Sequence, residues 1–198
     1  MQTGWGRTGE HFWGYQAHGV TPDLLTFAKG IGNGFALAGV VGRAEVLNEV
    51  HAVSFSTFGG NPLATAAGNA VLDYLLAHDL QANAARVGAV LLAGLNELAD
   101  RHPVVGAVRG KGLMLGVEFV RPGGTEPDPA ATARVFEECK RGGLLVGKGG
   151  LYGNVLRMGP PLTLTEEEAR EALGILAEAV AVADADAVTV ANAGEPTR

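Results

Sequence analysis

Cysteine is all but missing from this chain: Cys139 is the one thiol in 198 residues. A single cysteine excludes an internal disulfide and a cysteine-based zinc site, and it agrees with a reducing compartment. Set among Glu137, Glu138 and Lys140, it reads as a packing position on a helix rather than a nucleophile. Also missing is any apolar run near the ~20 residues that cross a membrane as a helix. The opening Met1-Gln2-Thr3-Gly4-Trp5-Gly6-Arg7 has no apolar stretch of the kind found in a signal peptide. A cytoplasmic location with no membrane partner is therefore expected. Positive charge is sparse, with 15 Lys and Arg against 21 Asp and Glu, a net charge of -6 and no basic cluster. Nucleic acid is not an expected partner. What the chain does have is apolar content, 47% hydrophobic against 18% charged, enough for a real core.

Turn residues and apolar periodicity divide the chain. Val20-Thr21-Pro22-Asp23 reads as a turn. Leu24 to Ala28 follows as a short apolar run, expected to be a buried strand ending at Lys29, and Ala36 to Val41 is a second strand with β-branched Val40 and Val41. Asn61-Pro62 opens a helix, Asn61 as cap and Pro62 in the first turn, that apolar spacing sustains to about His78. A helix over 84–100 puts Val87, Leu91, Leu92, Leu95 and Leu98 on one face, with Pro103 beyond its end. Residues 104–108 and 113–120 read as strands separated by Arg109-Gly110-Lys111-Gly112. Asp128 precedes a helix from Pro129 to Arg141 that Gly142-Gly143 stops. Residues 144–146 and 155–158 are short strand candidates. Thr165-Glu166-Glu167-Glu168 is a capping box that starts a helix to about Ala183. The order predicts an α/β fold: part of an α/β domain with an interdomain helix over 1–95, a smaller α+β domain over 96–183, and a frayed tail over 184–198.

Lys29 is where chemistry concentrates. A lysine that closes an apolar strand and precedes Gly30-Ile31-Gly32-Asn33-Gly34 suits Schiff-base formation. That chemistry needs partial desolvation to lower the ammonium pKa, and slack backbone to admit a cofactor ring. The same residues also describe a strand-terminal lysine that reaches solvent. The glycine spacing does not match a dinucleotide fingerprint.

The wider pattern is more specific. Gln2-Thr3-Gly4-Trp5-Gly6-Arg7-Thr8-Gly9, then Pro22-Asp23-Leu24-Leu25-Thr26-Phe27-Ala28-Lys29-Gly30, is similar to the signature of the class III, ornithine-aminotransferase-like, PLP-dependent (pyridoxal-5′-phosphate) aminotransferases. Ser56-Thr57-Phe58-Gly59-Gly60-Asn61-Pro62 resembles that family's next motif. Arg109-Gly110-Lys111-Gly112-Leu113-Met114-Leu115-Gly116 and Leu156-Arg157-Met158-Gly159-Pro160-Pro161-Leu162 resemble two more, in the family's order. Within the family the chain is most like the alanine:glyoxylate aminotransferase type, through His11-Phe12-Trp13-Gly14 and Lys29 to Phe35.

The resemblance implies the C-terminal part of a fold type I large domain followed by the α+β small domain. It implies PLP as cofactor, amino acid and 2-oxo acid as substrates, amino-group transfer between them, and a homodimer in the full-length family. The family's Schiff-base lysine falls on Lys29, which would also serve as general base and acid. The glutamine near the ring hydroxyl falls on Gln2. The threonine that reaches the PLP phosphate from the neighbouring subunit falls on Thr57. The arginine for the substrate carboxylate falls on Arg157. Trp5 and Arg7 lie where the family shapes its active-site approach, and Trp5 is a candidate for the substrate pocket. Without the family pattern, Gln2 is an exposed terminal amide, Thr57 a turn residue and Arg157 a structural ion pair. Lys111 and Lys148 are expected to be solvated charges, and no metal ligand is expected.

The family aspartate that pairs with the ring nitrogen would precede Met1, and so would the phosphate-cup segment and the aromatic residue that stacks on the ring. A truncated form with impaired activity on its own is therefore expected. The alternatives are a non-catalytic truncated paralogue, a split-gene half that pairs with a partner chain, or an aminomutase or decarboxylase of the same fold.

Overall fold

A computed structural model describes residues 2–51, 53 and 55–193, with side chains in the last helix described as far as residue 186. The chain divides into two compact units, Met1–Ala82 and Asn83–Arg198. Among the described residues no helix is long and apolar enough to cross a membrane.

In the first unit, β1 (Leu24–Ala28) pairs antiparallel with β2 (Ala38–Gly42), in register from Leu24 opposite Gly42 to Ala28 opposite Ala38. A 3-10 turn over Lys29–Gly32 leads out of β1. The expected burial of the first strand is not found. Leu24 is 46% exposed and Val40 and Val41 of β2 are more than half exposed, because the sheet has two strands only among the described residues. A short α1 (Ala44–Leu47) follows, with Arg43 bridging Asp23 and Glu45. α2 (Pro62–Ala77) starts as its sequence predicts: Asn61 Oδ1 accepts from the Ala64 N–H at 2.9 Å, and Pro62 occupies the first turn. It ends at His78, and Asp79 takes a left-handed conformation before the next helix begins.

The second unit is built on a four-stranded antiparallel sheet of order β3-β4-β6-β5. β3 (Val105–Lys111) and β4 (Met114–Phe119) form a hairpin closed by Gly112 and Leu113, so Arg109 and Lys111 lie in the strand and not in the loop expected there. The turn is tighter because Gly112 has φ +52°, the left-handed geometry that short hairpin loops use. β6 (Val155–Met158) pairs with β4 on one side and with β5 (Gly147–Gly149) on the other. Residues 144–146 were the expected strand, yet the ladder begins at Gly147. The Leu144 N–H instead donates to the Cys139 carbonyl, holding this segment to the end of the preceding helix. Leu115, Val117 and Phe119 alternate along β4 and turn one face of the sheet to the core.

Three helices close that face. α3 (Leu80–Arg101) buries Val87, Leu91, Leu95 and Leu98. The division between Ala82 and Asn83 lies upstream of residue 95 because this buried face packs with the second sheet. α4 (Pro129–Arg141) is capped by Asp128, whose carboxylate accepts from the Ala131 N–H at 2.8 Å. It buries Val135 and Cys139, and burial pushes the Cys139 thiol up to about 11, so it stays protonated and inert at neutral pH. α5 (Glu166–Ala193) starts at the expected capping box: the Thr165 N–H donates to Glu168 at 2.8 Å and the Glu168 N–H to Thr165 Oγ1 at 3.2 Å. Those bonds from Thr165 hold the Glu168 carboxyl below its ordinary range. α5 also runs past the end expected near Ala183. Asp184 accepts from the Val104 N–H and pairs with His102, and Asp186 pairs with Arg134. Residues 194–198 of the expected tail lie outside the described residues.

A close backbone approach joins α3 to the hairpin turn: a Cβ on Gly88 would lie 2.4 Å from the Gly112 carbonyl carbon. Alanine at a helix interior gains about 1 kcal/mol over glycine. Overpacking a tight contact costs about 1–3 kcal/mol, and backbone cannot swing aside as a side chain can. The clash should win. Gly88→Ala is expected to lower the urea midpoint by an amount equal to about 1–2 kcal/mol.

Candidate active site

The first unit carries Lys29, Gln2, Trp5 and Thr57, and the second carries Arg157. β1 ends with Ala28 fully extended at φ -164°, and Lys29 then enters the left-handed region at φ +60°. A side chain there costs roughly 1–2 kcal/mol, so the surroundings must hold it. On one side the strand pair holds it, through Ala28 opposite Ala38. On the other, the Asn33 N–H donates to the Gly30 carbonyl at 3.2 Å, and Ile31 is 2% exposed where the turn packs on α2.

The Lys29 side chain itself is exposed. The desolvation expected from an apolar strand is therefore not supplied by the described residues of this unit. Beside it, nothing lies within 4 Å of the place a Cβ on Gly30 would take. A primary amine on a held backbone, with open space alongside, fits covalent attachment of an aldehyde such as PLP.

Trp5, also left-handed at φ +57°, is partly buried. Its ring lies 5.5 Å from Phe12 and 5.9 Å from Trp13, and Trp13 lies 6.3 Å from Phe27 on β1. The rings thus tie the glycine-rich opening segment to the strand that ends at Lys29. Trp5 Nε1 is buried and has no hydrogen-bond partner among the described residues. Such a donor costs about 1–3 kcal/mol unless something accepts from it. Gln2 is exposed. Thr57 is exposed at a bend, and Phe55 and Phe58 around it are 87% and 81% exposed.

Arg157 stands on β6 between buried Leu156 and Met158, so its side chain leaves the opposite, exposed face of the sheet. Its cross-strand neighbours are both glycines, Gly116 on β4 and Gly147 on β5, which add no side chain beside its stem. It borders a cleft of about 680 Å³, whose walls include Leu144, Val146, Met158 and Ile175. The segment after it is held by a residue without any local mark in the sequence. Asn83 Nδ2 donates to the Leu162 carbonyl at 2.7 Å and the Leu164 carbonyl at 2.9 Å, across 79 and 81 residues of chain. Arg86 in turn donates to Asn83 Oδ1 at 2.6 Å. Lys111 and Lys148 are exposed, and Lys148 lies 4.9 Å from the centre of the Phe136 ring.

The strand beside Arg157 depends on Glu118. Arg109 pairs with its carboxylate, and Asn154 Nδ2 donates to it at 3.3 Å and to the Phe119 carbonyl at 3.0 Å. The bond from Arg109 holds the Glu118 carboxyl below its ordinary value of 4.5. A lowered folded-state pKa gives stability that is present above the unfolded value and lost as pH falls through the folded one. Wild type should therefore exceed Glu118→Gln in urea midpoint at neutral pH, with the gap closing as pH drops below 4.5. The gap should be small and salt-sensitive, because the bridge is partly exposed. A gap that stays constant with pH would contradict this account.

Comparison with known proteins matches the two units to one family. The family model described as "Aminotransferase class-III" matches residues 1–180. An alanine–glyoxylate aminotransferase 2 homologue of Arabidopsis thaliana, mitochondrial by name, is 47% identical over 171 residues, covering 85% of this chain and 36% of that protein. The human alanine–glyoxylate aminotransferase 2, also mitochondrial by name, is 42% identical over 184 residues, covering 91% and 36%. Among solved structures, a phospholyase from Arthrobacter in complex with phosphoethanolamine superposes with a TM-score of 0.88 at 42% identity, covering 91% of this chain and 43% of that one. The chain spans about 36% of the length of these curated relatives. With the match running from the turns before β1 into α5, the chain belongs to the class III aminotransferase family, and its two antiparallel sheets are part of a fold type I architecture.

Proposed function

We propose that this chain carries the cofactor lysine and the substrate-carboxylate arginine of a PLP-dependent aminotransferase that moves an amino group between an amino acid and a 2-oxo acid. The observation that carries the reading is Lys29: an exposed amine on left-handed backbone, with open space at Gly30. Membership of the class III family supports PLP as the aldehyde.

Bound there, PLP supplies an electron-withdrawing ring conjugated to the reacting carbon. Lys29 Nζ would hold the cofactor, and as a free amine it would serve as the base that takes the substrate Cα proton and the acid that gives one back. Arg157 would donate two parallel hydrogen bonds to the substrate carboxylate and so fix the direction of the Cα–H bond. The amide of Gln2 would serve as a donor toward the ring hydroxyl, and the Thr57 hydroxyl as a donor toward the phosphate of the neighbouring subunit in a homodimer. Trp5 lines the substrate side.

The exposed apolar residues flanking Thr57, Phe55 and Phe58 with Val53 and Leu63, support a second reading. In it the chain is inactive alone and its apolar face is covered by the rest of the class III fold. Co-expression with a polypeptide carrying the N-terminal part of a class III relative separates the two. Measurable but impaired turnover by the 198-residue chain alone supports the first, and turnover only in the co-purified complex supports the second.

Lys29 is tested by colour. The purified chain mixed with PLP should develop a yellow Schiff-base absorbance that borohydride removes, and Lys29→Ala should lose it. Equal colour in Lys29→Ala would contradict the assignment.

A further inference from the structure

Among the described residues β1 pairs with β2 alone, so here their register is held by one ladder of backbone hydrogen bonds and by the side chains that favour one pairing. A slip by one residue would carry Lys29 about 3.3 Å along the strand and turn its neighbours to the other face. The left-handed turn at Lys29 begins where this ribbon ends, so the place of the amine depends on the register.

One pair in the ribbon is shaped for a single register. Phe27 stands opposite Gly39, and its ring lies across the glycine: a Cβ on Gly39 would come within 2.6 Å of Phe27 Cζ and 2.7 Å of Cε2. A slip by one would set the ring against Val40 or Ala38, where a side chain already fills that place. An aromatic ring covering a cross-strand glycine is a known means of fixing register. The ring also neighbours Trp13, with centroids 6.3 Å apart, and through Trp13 it joins Phe12 and Trp5.

We propose that Phe27, seated over Gly39, is a positioning residue for Lys29, fixing the strand register from which the amine is presented. The inference rests on Lys29 being the PLP lysine. Phe27 makes no contact with the reacting atoms in this scheme; it acts through the backbone two residues on.

The test follows each lysine separately. The 198-residue chain is mixed with PLP and trapped with borohydride at successive times. After digestion, label is measured at Lys29, Lys111, Lys140 and Lys148. Wild type should label Lys29 fastest. Phe27→Ala should slow Lys29 about tenfold, the scale of one aromatic packing contact, with the other three lysines at wild-type rates. Gly39→Ala, which pushes the ring off its seat, should give the same selective loss. Phe27→Leu, which keeps apolar cover over Gly39, should recover most of the rate. Far-UV circular dichroism is recorded for each; if Phe27→Ala does not fold, Gly39→Ala and Phe27→Leu make the comparison. Wild-type labelling of Lys29 in the variants that fold, or a loss shared equally by all four lysines, overturns the positioning role and leaves Lys29 as the cofactor lysine. Equal labelling of all four in wild type overturns the Lys29 assignment and the positioning role with it.

Discussion

A lysine in left-handed backbone does not stay there unaided. The strand that ends at Ala28 and the turn that follows, closed by the Asn33 N–H on the Gly30 carbonyl and seated by buried Ile31, confine Lys29 from both sides. The cost of that conformation, of order 1–2 kcal/mol, is met by packing elsewhere in the unit. The ring cluster from Trp5 through Phe12 and Trp13 to Phe27 extends the same constraint back to the opening segment. The result is an amine with freedom at its tip and little at its root, which suits a group that must form, release and re-form a covalent bond with its cofactor.

The second unit is organised differently. Its sheet turns Leu115, Val117, Phe119, Leu156 and Met158 into one core with three helices, and that leaves Arg157 on the opposite face by the alternation of the strand. Glycines stand opposite the arginine on both neighbouring strands, while Asn83 ties down the proline-containing segment that follows it. Here the structure supplies rigidity through a packed core, where the first unit relies on a ribbon and a turn. The exposed apolar residues around Thr57 belong to the first unit, the one with the smaller sheet among the described residues.

Features set by neighbours in sequence were legible from it. The caps at Asn61, Asp128 and Thr165 form as their side chains dictate, and β6 with Arg157 falls on the short strand expected over 155–158. The motifs around Lys29, Thr57 and Arg157 sufficed to identify the family. What stayed hidden depends on residues far apart in the chain. The extension of α5 follows from Asp184 and Asp186 meeting His102, Val104 and Arg134. The clamp at Asn83 spans 79 residues or more, and the exposure of β1 depends on how many strands lie beside it. The left-handed turn at Lys29 was hinted at by its glycines, but glycines placed after a lysine do not say which residue takes the positive φ.

The central claim is that Lys29 is preorganised: its backbone holds the left-handed turn before any cofactor arrives. Nuclear magnetic resonance of the purified chain without PLP tests this most directly, through the Lys29 Cα chemical shift and the amide–Hα coupling. The account predicts values of a residue fixed at positive φ, unchanged when PLP is added. Values of an extended or averaged backbone at Lys29, becoming left-handed only with PLP, would contradict it.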